Sequence, residues 1–163
     1  MTQTASTTST SYNETTAAFG STANGATSDV IAWTLVRLVT GLTLVPHGAQ
    51  KLFGWFGGYG IEGTAGFFEQ SLGLYPGVLF AVVAGLTEFV GGLLLAAGAL
   101  TRLTALAAVA LMGYAAFVVH WSNGFFWTDG GLEFPLMWMV IALALVIRGG
   151  GRWSADHAVG FKY

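Results

Sequence analysis

Hydrophobic residues fall in four long apolar runs along this chain, separated by short segments rich in glycine, aromatic and charged residues. A helix of roughly 20 apolar residues crosses the ~30 Å hydrocarbon core of a bilayer. The pattern predicts an all-α integral membrane protein in which residues 29–148 form an antiparallel four-transmembrane-helix bundle in the lipid bilayer. The predicted spans are residues 30–47, 76–98, 103–120 and 133–148.

The two ends of the chain differ from these runs. Residues 1–28 are rich in Ser and Thr and contain no Lys or Arg. They lack the basic and apolar regions of a secretory signal and the apolar surface needed for packing, so we predict a disordered N-terminal tail. Asp29 is the predicted N-cap of the first span, and Pro46 is predicted to kink that span. Residues 149–163 are predicted to form a C-terminal tail.

Two sequence features predict how the helices pack. Small residues surround Glu88 in the second span, and such faces allow another helix backbone to approach closely within a membrane. Such faces serve contacts within one chain or between copies of the chain, so the sequence leaves undecided whether the protein forms a homo-oligomer. In the first loop, residues 64–72 predict a short interfacial helix with Phe67, Phe68 and Leu72 facing the lipid.

The composition supports a membrane protein and excludes several kinds of chemistry. Of the 163 residues, 54% are hydrophobic and 9% are charged, whereas soluble domains have about 25% charged residues. A net charge of −2 gives no reason to expect nucleic acid as a partner. The absence of Cys excludes disulfides, thiol catalysis and Cys-ligated iron–sulfur clusters.

Basic residues between the spans predict the orientation. The side shared by both termini and the second loop holds Arg102, Arg148, Arg152 and Lys162, against Lys51 on the other side. The cytoplasmic side of a membrane protein carries the excess of Lys and Arg. We therefore expect a multi-pass protein whose N- and C-termini are cytoplasmic.

Two charged residues lie inside predicted spans, Arg37 in the first and Glu88 in the second. A charge at the bilayer centre costs about 2.5–3.5 kcal/mol on insertion scales, so each is expected to have a partner or a task. Measured from the predicted cytoplasmic ends, the two lie ~10 and ~15 Å deep at ~1.5 Å per residue. We predict an Arg37–Glu88 ion pair. Two roles for the pair stay open, fixing helix register or handling protons or substrate.

A second polar cluster is predicted at the outer surface, where spans one and three end and span four begins. The cluster can bind a quinone headgroup, a small anion or a metal. Alternatively, its aromatic residues form a belt at the membrane interface and its histidines make ordinary hydrogen bonds there. A haem would need His47 and His120, and zinc would also need Glu133, but the sequence has no porphyrin or metal signature. We predict no metal and no tightly bound cofactor. The cluster comprises His47, Lys51, His120, Trp121, Asp129 and Glu133.

Four segments are distinctive in their order and spacing. They are RLVTGLTLVPHGAQKLFGWFGG, LTEFVGGLLLAAGALTRL, VVHWSNGFFWTDGGLEFPL and GGGRWSAD. Together they resemble the DoxX family of small membrane proteins, and the similarity covers about residues 32–156.

The resemblance implies a four-helix membrane protein of an oxidoreductase type in the plasma (inner) membrane of a prokaryote. Members of the family include the small membrane subunit of an archaeal thiosulfate:quinone oxidoreductase. A mycobacterial member works in a membrane-associated complex that deals with oxidative stress. The family pattern places recurrent polar residues at Arg37, His47, Lys51, Glu88, Arg102, His120 and Glu133.

Two functions are compatible with these features. The first is a DoxX-like membrane subunit of a redox system that passes electrons from a small donor, such as thiosulfate, to quinone. The second is a non-catalytic membrane anchor or assembly factor for a soluble oxidoreductase partner. A carrier or proton pathway is disfavoured because the chain has no inverted repeat. In the redox hypothesis the candidate catalytic residues are Glu88, Arg37, His47 and His120, and the candidate substrate-binding residues are Lys51, Glu133 and Trp121.

Overall fold

The structure is a computed structural model that describes residues 22–161 of the chain. Every regular element in this range is helical, and short 3₁₀ turns lie in the connections. The α-helices are α1 (Thr22–Phe53), α2 (Gly60–Leu72), α3 (Gly77–Ala97), α4 (Thr101–Tyr114), α5 (Glu133–Arg148) and α6 (Ala155–Ala158), and α4 continues as the π-helical segment Ala115–Val119.

Three helices of the described range are long and apolar enough to cross a membrane: Ala26–Phe53, Gly77–Ala97 and Thr101–Val119. Each overlaps one of the first three predicted spans, so the three predicted apolar helices are present, while their crossing of a membrane at the predicted boundaries stays a prediction. Helix α5 covers the predicted fourth span, but its 16 residues extend only ~24 Å. That length is shorter than the ~30 Å hydrocarbon core. The fourth crossing, and with it the antiparallel four-helix bundle, therefore stays a prediction.

Helix α1 begins earlier than the apolar pattern indicates. It starts at Thr22, so residues 22–28 are helical rather than disordered, while the rest of the predicted tail, residues 1–21, lies outside the described residues. Asp29 lies inside this helix, so its assignment as the N-cap is wrong. Its carboxylate instead pairs with Arg148 at the end of α5. This ion pair connects the N-terminal part of α1 to the end of α5.

The same helix also continues past Pro46 as far as Phe53. A proline inside a helix removes one backbone hydrogen bond and crowds the preceding turn. In an apolar environment every other backbone N–H and C=O group still needs a partner, which favours continuing the helix over ending it. His47 and Lys51 are therefore separated by one helical turn on α1.

The short helix predicted in the first loop is present as α2, which begins four residues earlier than predicted, at Gly60. Phe67 is exposed, as expected of a side chain that faces lipid. Phe68 is buried and clusters with Ala81 and Ala84 of α3, so the orientation predicted for Phe68 is wrong. The two small alanine side chains leave space for the ring between α2 and α3.

Glycine residues bring the backbones of α1 and α3 into contact. A Cβ atom at Gly41 of α1 would lie 2.4 Å from the carbonyl oxygen of Gly92 of α3, and one at Gly48 would lie 2.3 Å from the backbone nitrogen of Phe89. Since both distances are far shorter than van der Waals contact, no larger side chain fits without moving a helix. The small-residue face around Glu88 thus receives α1, as expected of such faces in membranes.

The C-terminal segment folds back onto the start of α4. The backbone N–H of Asp156 donates to Gly98 O at 2.9 Å. Its carboxylate accepts hydrogen bonds from Leu100 N (2.7 Å), Thr101 N (2.9 Å) and Thr101 Oγ1 (2.7 Å). Because the first N–H groups of a helix lack partners within the helix, a carboxylate at this place is stabilising. The predicted tail, as far as it is described, is therefore packed against the helices.

Replacing Gly92 by Ala should push α1 and α3 apart, because the added Cβ would lie 2.7 Å from Gly41 O. We expect the free energy of unfolding to fall by roughly 1–3 kcal/mol, the usual cost of overpacking. Gly91→Ala is the matched control, since a Cβ there meets only Leu86 O, at 3.9 Å. SDS-induced unfolding in mixed micelles, followed by circular dichroism, measures both variants. Equal stability of the two would show that the helices are not in this contact.

Candidate functional site

A cavity of about 470 Å³ lies among α1, α2, α3, α4 and α5, at the end where α4 and its π-helical segment finish. We call it the His120 cavity. Its volume is within the range of sites that bind small molecules and cofactors. The polar part of its lining comprises His47, Lys51, Thr64, Glu88, Tyr114 and His120, and the aromatic part comprises Phe67, Phe68, Trp127, Phe134 and Trp138.

Lys51 and Glu88 form an ion pair on the wall of this cavity. Lys51 Nζ of α1 donates to Glu88 Oε2 of α3 at 2.6 Å. The Glu88 side chain is only 5% exposed, and that of Lys51 is 28% exposed. The predicted Arg37–Glu88 pair is therefore wrong, and the buried carboxylate has an ammonium partner that sequence analysis assigned to the outer surface.

Arg37 lies at the other end of α1 and contacts main-chain carbonyl groups. Its Nη1 donates to Leu95 O at 3.0 Å and to Ala96 O at 2.6 Å, and its Nη2 donates to Trp153 O at 2.6 Å. The side chain is 2% exposed. The last carbonyl groups of a helix lack partners within the helix and attract a cation. Arg37 thus joins the end of α3 to the C-terminal segment and does not line the His120 cavity.

Side-chain direction explains why the Arg37–Glu88 pair does not form. Every Cα–Cβ bond of an α-helix tilts toward the N-terminus of that helix. On α1 both long basic side chains therefore extend back along the helix. Lys51 extends toward the middle of α1 and reaches Glu88, whereas Arg37 extends away from Glu88 toward the end of α3. Comparing the depths of Cα atoms alone gives the wrong partner.

The π-helical segment Ala115–Val119 positions His120 at the cavity. The backbone N–H of His120 donates to Ala115 O at 2.9 Å, five residues earlier, and such π-bulges are frequent at functional sites. His120 Nδ1 lies 2.6 Å from Gly130 O. Because a carbonyl oxygen only accepts hydrogen bonds, Nδ1 must carry the proton. In the neutral ring Nε2 is then a hydrogen-bond acceptor.

The remaining two candidate residues, Trp121 and Glu133, do not line the cavity. Trp121 is 62% exposed and contacts the Phe117 ring. Glu133, the first residue of α5, accepts a hydrogen bond from Trp127 N at 3.1 Å and so holds the connection in place. Across residues 22–161 no three His, Cys, Asp or Glu side chains lie close enough to hold a metal ion, so the zinc set considered from the sequence does not assemble.

Sequence analysis missed several residues of the lining, among them Thr64, Tyr114 and Trp138. Phe134 and Trp138 are four residues apart on α5, a spacing that indicates a shared helix face and could have identified the aromatic wall. Tyr114 offers no comparable signal, because the π-helical segment that follows it changes which residues share a face with His120.

Removing one member of the Lys51–Glu88 pair should cost more stability than removing both. Lys51→Met leaves a buried carboxylate without its partner, and such losses amount to about 3–5 kcal/mol. The Lys51→Met/Glu88→Gln double variant should regain part of that loss. SDS unfolding of the purified variants measures each value. Glu62→Gln, the same substitution at an exposed acid of α2, is the control and should leave the stability unchanged. Additive losses would contradict the pair.

Asp156→Ala should release the C-terminal segment, because the carboxylate accepts three hydrogen bonds from the start of α4. We expect trypsin to cleave after Arg152 roughly tenfold faster or more, since a hydrogen bond to a charged group contributes about 1.5 kcal/mol or more. His157→Ala, in the same segment but with an exposed side chain, should be cleaved like the wild type. Mass spectrometry of timed digests gives the rates, and unchanged cleavage of the Asp156 variant would contradict this role.

Comparison with known proteins adds the family. The DoxX family model matches residues 32–121, more than half of the chain.

Two proteins of Haemophilus influenzae, both named as uncharacterized proteins, are similar to this chain. One is 33% identical over 96 residues, which is 59% of this chain and 64% of the relative, so the match spans less than two thirds of that relative. The other is 32% identical over 105 residues, 60% of this chain and 78% of the relative. No solved structure matches the chain. The chain belongs to the DoxX family, and its long apolar helices indicate a membrane protein.

Proposed function

We propose that this protein is the membrane subunit of a quinone-linked redox system and that the His120 cavity binds the quinone headgroup. The observation that supports this most strongly is the lining of the cavity. The partly buried Lys51–Glu88 pair and His120 belong to its polar part, and aromatic side chains form much of the rest of the lining. A quinone headgroup has the same division, with two polar oxygens on a flat apolar ring.

The hydrogen-bonding groups suit both redox states of a quinone. A quinone carbonyl oxygen accepts hydrogen bonds, whereas a quinol hydroxyl also donates. The ammonium of Lys51 has three N–H groups and gives one to Glu88, which leaves donors for a carbonyl oxygen. His120 Nε2 accepts from a quinol hydroxyl when the ring is neutral and donates to a quinone oxygen when the ring is protonated.

Reduction of a quinone to a quinol takes up two electrons and two protons. In this proposal His47 and His120, both in the lining, relay the two protons to the quinone oxygens. The chain has no cysteine to hold an iron–sulfur cluster, so the electrons come directly from a small donor, such as thiosulfate, or from a cofactor of a soluble partner subunit. Glu88 keeps Lys51 charged and in place.

The proposal includes an orientation in the plasma membrane of a prokaryote with both termini in the cytoplasm. Arg102, Arg148 and Arg152 lie around one cavity at the end where α4 begins. Such a concentration of arginine is typical of the cytoplasmic end of a membrane protein. The His120 cavity would then lie near the outer surface.

A second function, a membrane anchor for a soluble oxidoreductase, is supported by one observation. The connection between α4 and α5 carries Trp121, Phe125, Phe126 and Trp127, all more than half exposed. Exposed aromatic residues of this kind serve as contacts with a partner protein as well as with the membrane interface.

The Glu88→Gln variant distinguishes the two functions in a membrane preparation. If the cavity is catalytic, the variant has a lower activity per molecule. If the chain is an anchor, the variant lowers only the amount of protein.

Binding of a short-chain quinone tests the proposal directly. Decylubiquinone is titrated into the purified wild-type protein in detergent, and quenching of the tryptophan fluorescence of Trp127 and Trp138 reports occupancy of the cavity. We expect saturable binding that His120→Ala weakens roughly tenfold or more, because a lost charged or buried hydrogen bond of about 1.5 kcal/mol has this effect.

His157→Ala is the matched control for this titration, since His157 is exposed at the opposite end of the helices and does not line the cavity. Its affinity should equal that of the wild type. The quinone site would be ruled out by absence of saturable binding in the wild type, or by equal affinity of the His120→Ala and His157→Ala variants.

A further inference from the structure

A second cavity, of about 670 Å³, lies at the opposite end of the helices. It shares no lining residue with the His120 cavity. The start of α1, the start of α4, the end of α5 and the segment around α6 contribute its walls. We call it the triglycine cavity, because Gly149, Gly150 and Gly151 form part of its lining.

The lining of the triglycine cavity carries two basic side chains that form no ion pair within the described part of the chain. Arg102, Arg148 and Arg152 all line it. Arg148 pairs with Asp29 and lies 5.8 Å from the centroid of the Trp33 ring. Arg102 and Arg152 form no ion pair with any residue of the range 22–161. Two guanidinium groups on one cavity repel each other, and an anion between them removes that cost.

The acidic residues of the lining do not neutralise these two arginines. Asp29 is engaged by Arg148. The carboxylate of Asp156 is buried and is used by the backbone N–H groups of Leu100 and Thr101. Among residues 22–161, the uncompensated charge of the cavity is therefore positive.

Backbone groups add further donors. The N–H groups of Gly150 and Gly151 donate to no acceptor among the described residues. Gly149 and Gly151 have φ angles of 77° and 75°, which favour glycine, and a Cβ at Gly151 would meet nothing within 4 Å. Unpaired backbone N–H groups of a glycine-rich turn commonly bind anions, because the lack of side chains allows close approach.

We propose that the triglycine cavity binds a phosphate group, carried either by an anionic phospholipid headgroup or by a soluble phosphate compound. Arg102 and Arg152 pair with the phosphate oxygens, for which guanidinium groups have a matching geometry. Val30, Trp33 and Phe161 give the same cavity an apolar wall that suits the glycerol and acyl part of a lipid. Basic pockets between membrane helices bind lipid headgroups in this way.

Thermal unfolding of the full-length protein tests this proposal. The protein is purified in a neutral detergent, depleted of lipid, and titrated with dioleoyl phosphatidylglycerol, dioleoyl phosphatidylcholine or inorganic phosphate. A ligand that binds only the folded protein raises the unfolding temperature in a saturable manner. We expect phosphatidylglycerol or inorganic phosphate to do so and phosphatidylcholine not to.

Two double variants test whether the phosphate group binds in the triglycine cavity. R102Q/R152Q removes the two arginines that form no ion pair within residues 22–161. It should weaken the apparent affinity roughly tenfold or more, since each contact to a charged group contributes about a factor of ten. Q70E/S71D lowers the net charge by the same amount, at exposed residues of α2 that do not line the cavity, and should bind like the wild type.

The outcomes separate the two sources of phosphate. Stabilisation by phosphatidylglycerol alone supports a lipid headgroup, and stabilisation by inorganic phosphate as well supports a soluble ligand. Equal effects of phosphatidylglycerol and phosphatidylcholine without any effect of phosphate would overturn the proposal, and so would undiminished affinity of R102Q/R152Q. The comparison of ligands on the wild-type protein decides the question even if that variant does not fold.

Discussion

The contact between the backbones of α1 and α3 determines where the buried charges of this protein find their partners. Gly41 and Gly48 of α1 lie against α3 with no space for a side chain between them. At this distance a long basic side chain on α1 reaches across to α3 without leaving the apolar interior. Lys51 does so toward Glu88, and Arg37 does so toward the carbonyl groups at the end of α3. Both arrangements satisfy charges that would be costly in a membrane.

The two basic residues of α1 have different consequences. The Lys51–Glu88 pair lies on the wall of a cavity, so its remaining hydrogen-bonding capacity is available to a bound molecule. Arg37 donates to carbonyl groups of two segments and holds them together at the other end. The two ends of the helices therefore differ. One end has a cavity lined by titratable side chains. At the other end, hydrogen bonds hold α3, α4 and the C-terminal segment together. The triglycine cavity lies at this second end and uses the loops that Arg37 and Asp156 position.

The fold was largely predictable because it follows from local physics. Long apolar runs in a chain with few charges predict membrane helices, and three of the four predicted spans have the necessary length and composition. The predicted interfacial helix is also present. Four candidate residues, His47, Lys51, Glu88 and His120, line one cavity, although the sequence placed Glu88 in a separate group. Trp121 and Glu133, chosen because they are near in sequence to the helix ends, lie outside its lining.

By itself the sequence determined that the long apolar runs are helical and which charges need a partner, since both depend on composition and on the cost of placing polar groups in an apolar medium. The tertiary structure decided which groups become partners. The direction of side chains along a helix sends Lys51 inward and Arg37 toward the end of α3, and the π-helical segment turns His120 toward the cavity. Asp156 packs onto α4 through hydrogen bonds to Leu100 and Thr101, which precede it in the chain by 56 and 55 positions. No local sequence pattern carries information about contacts between such distant residues.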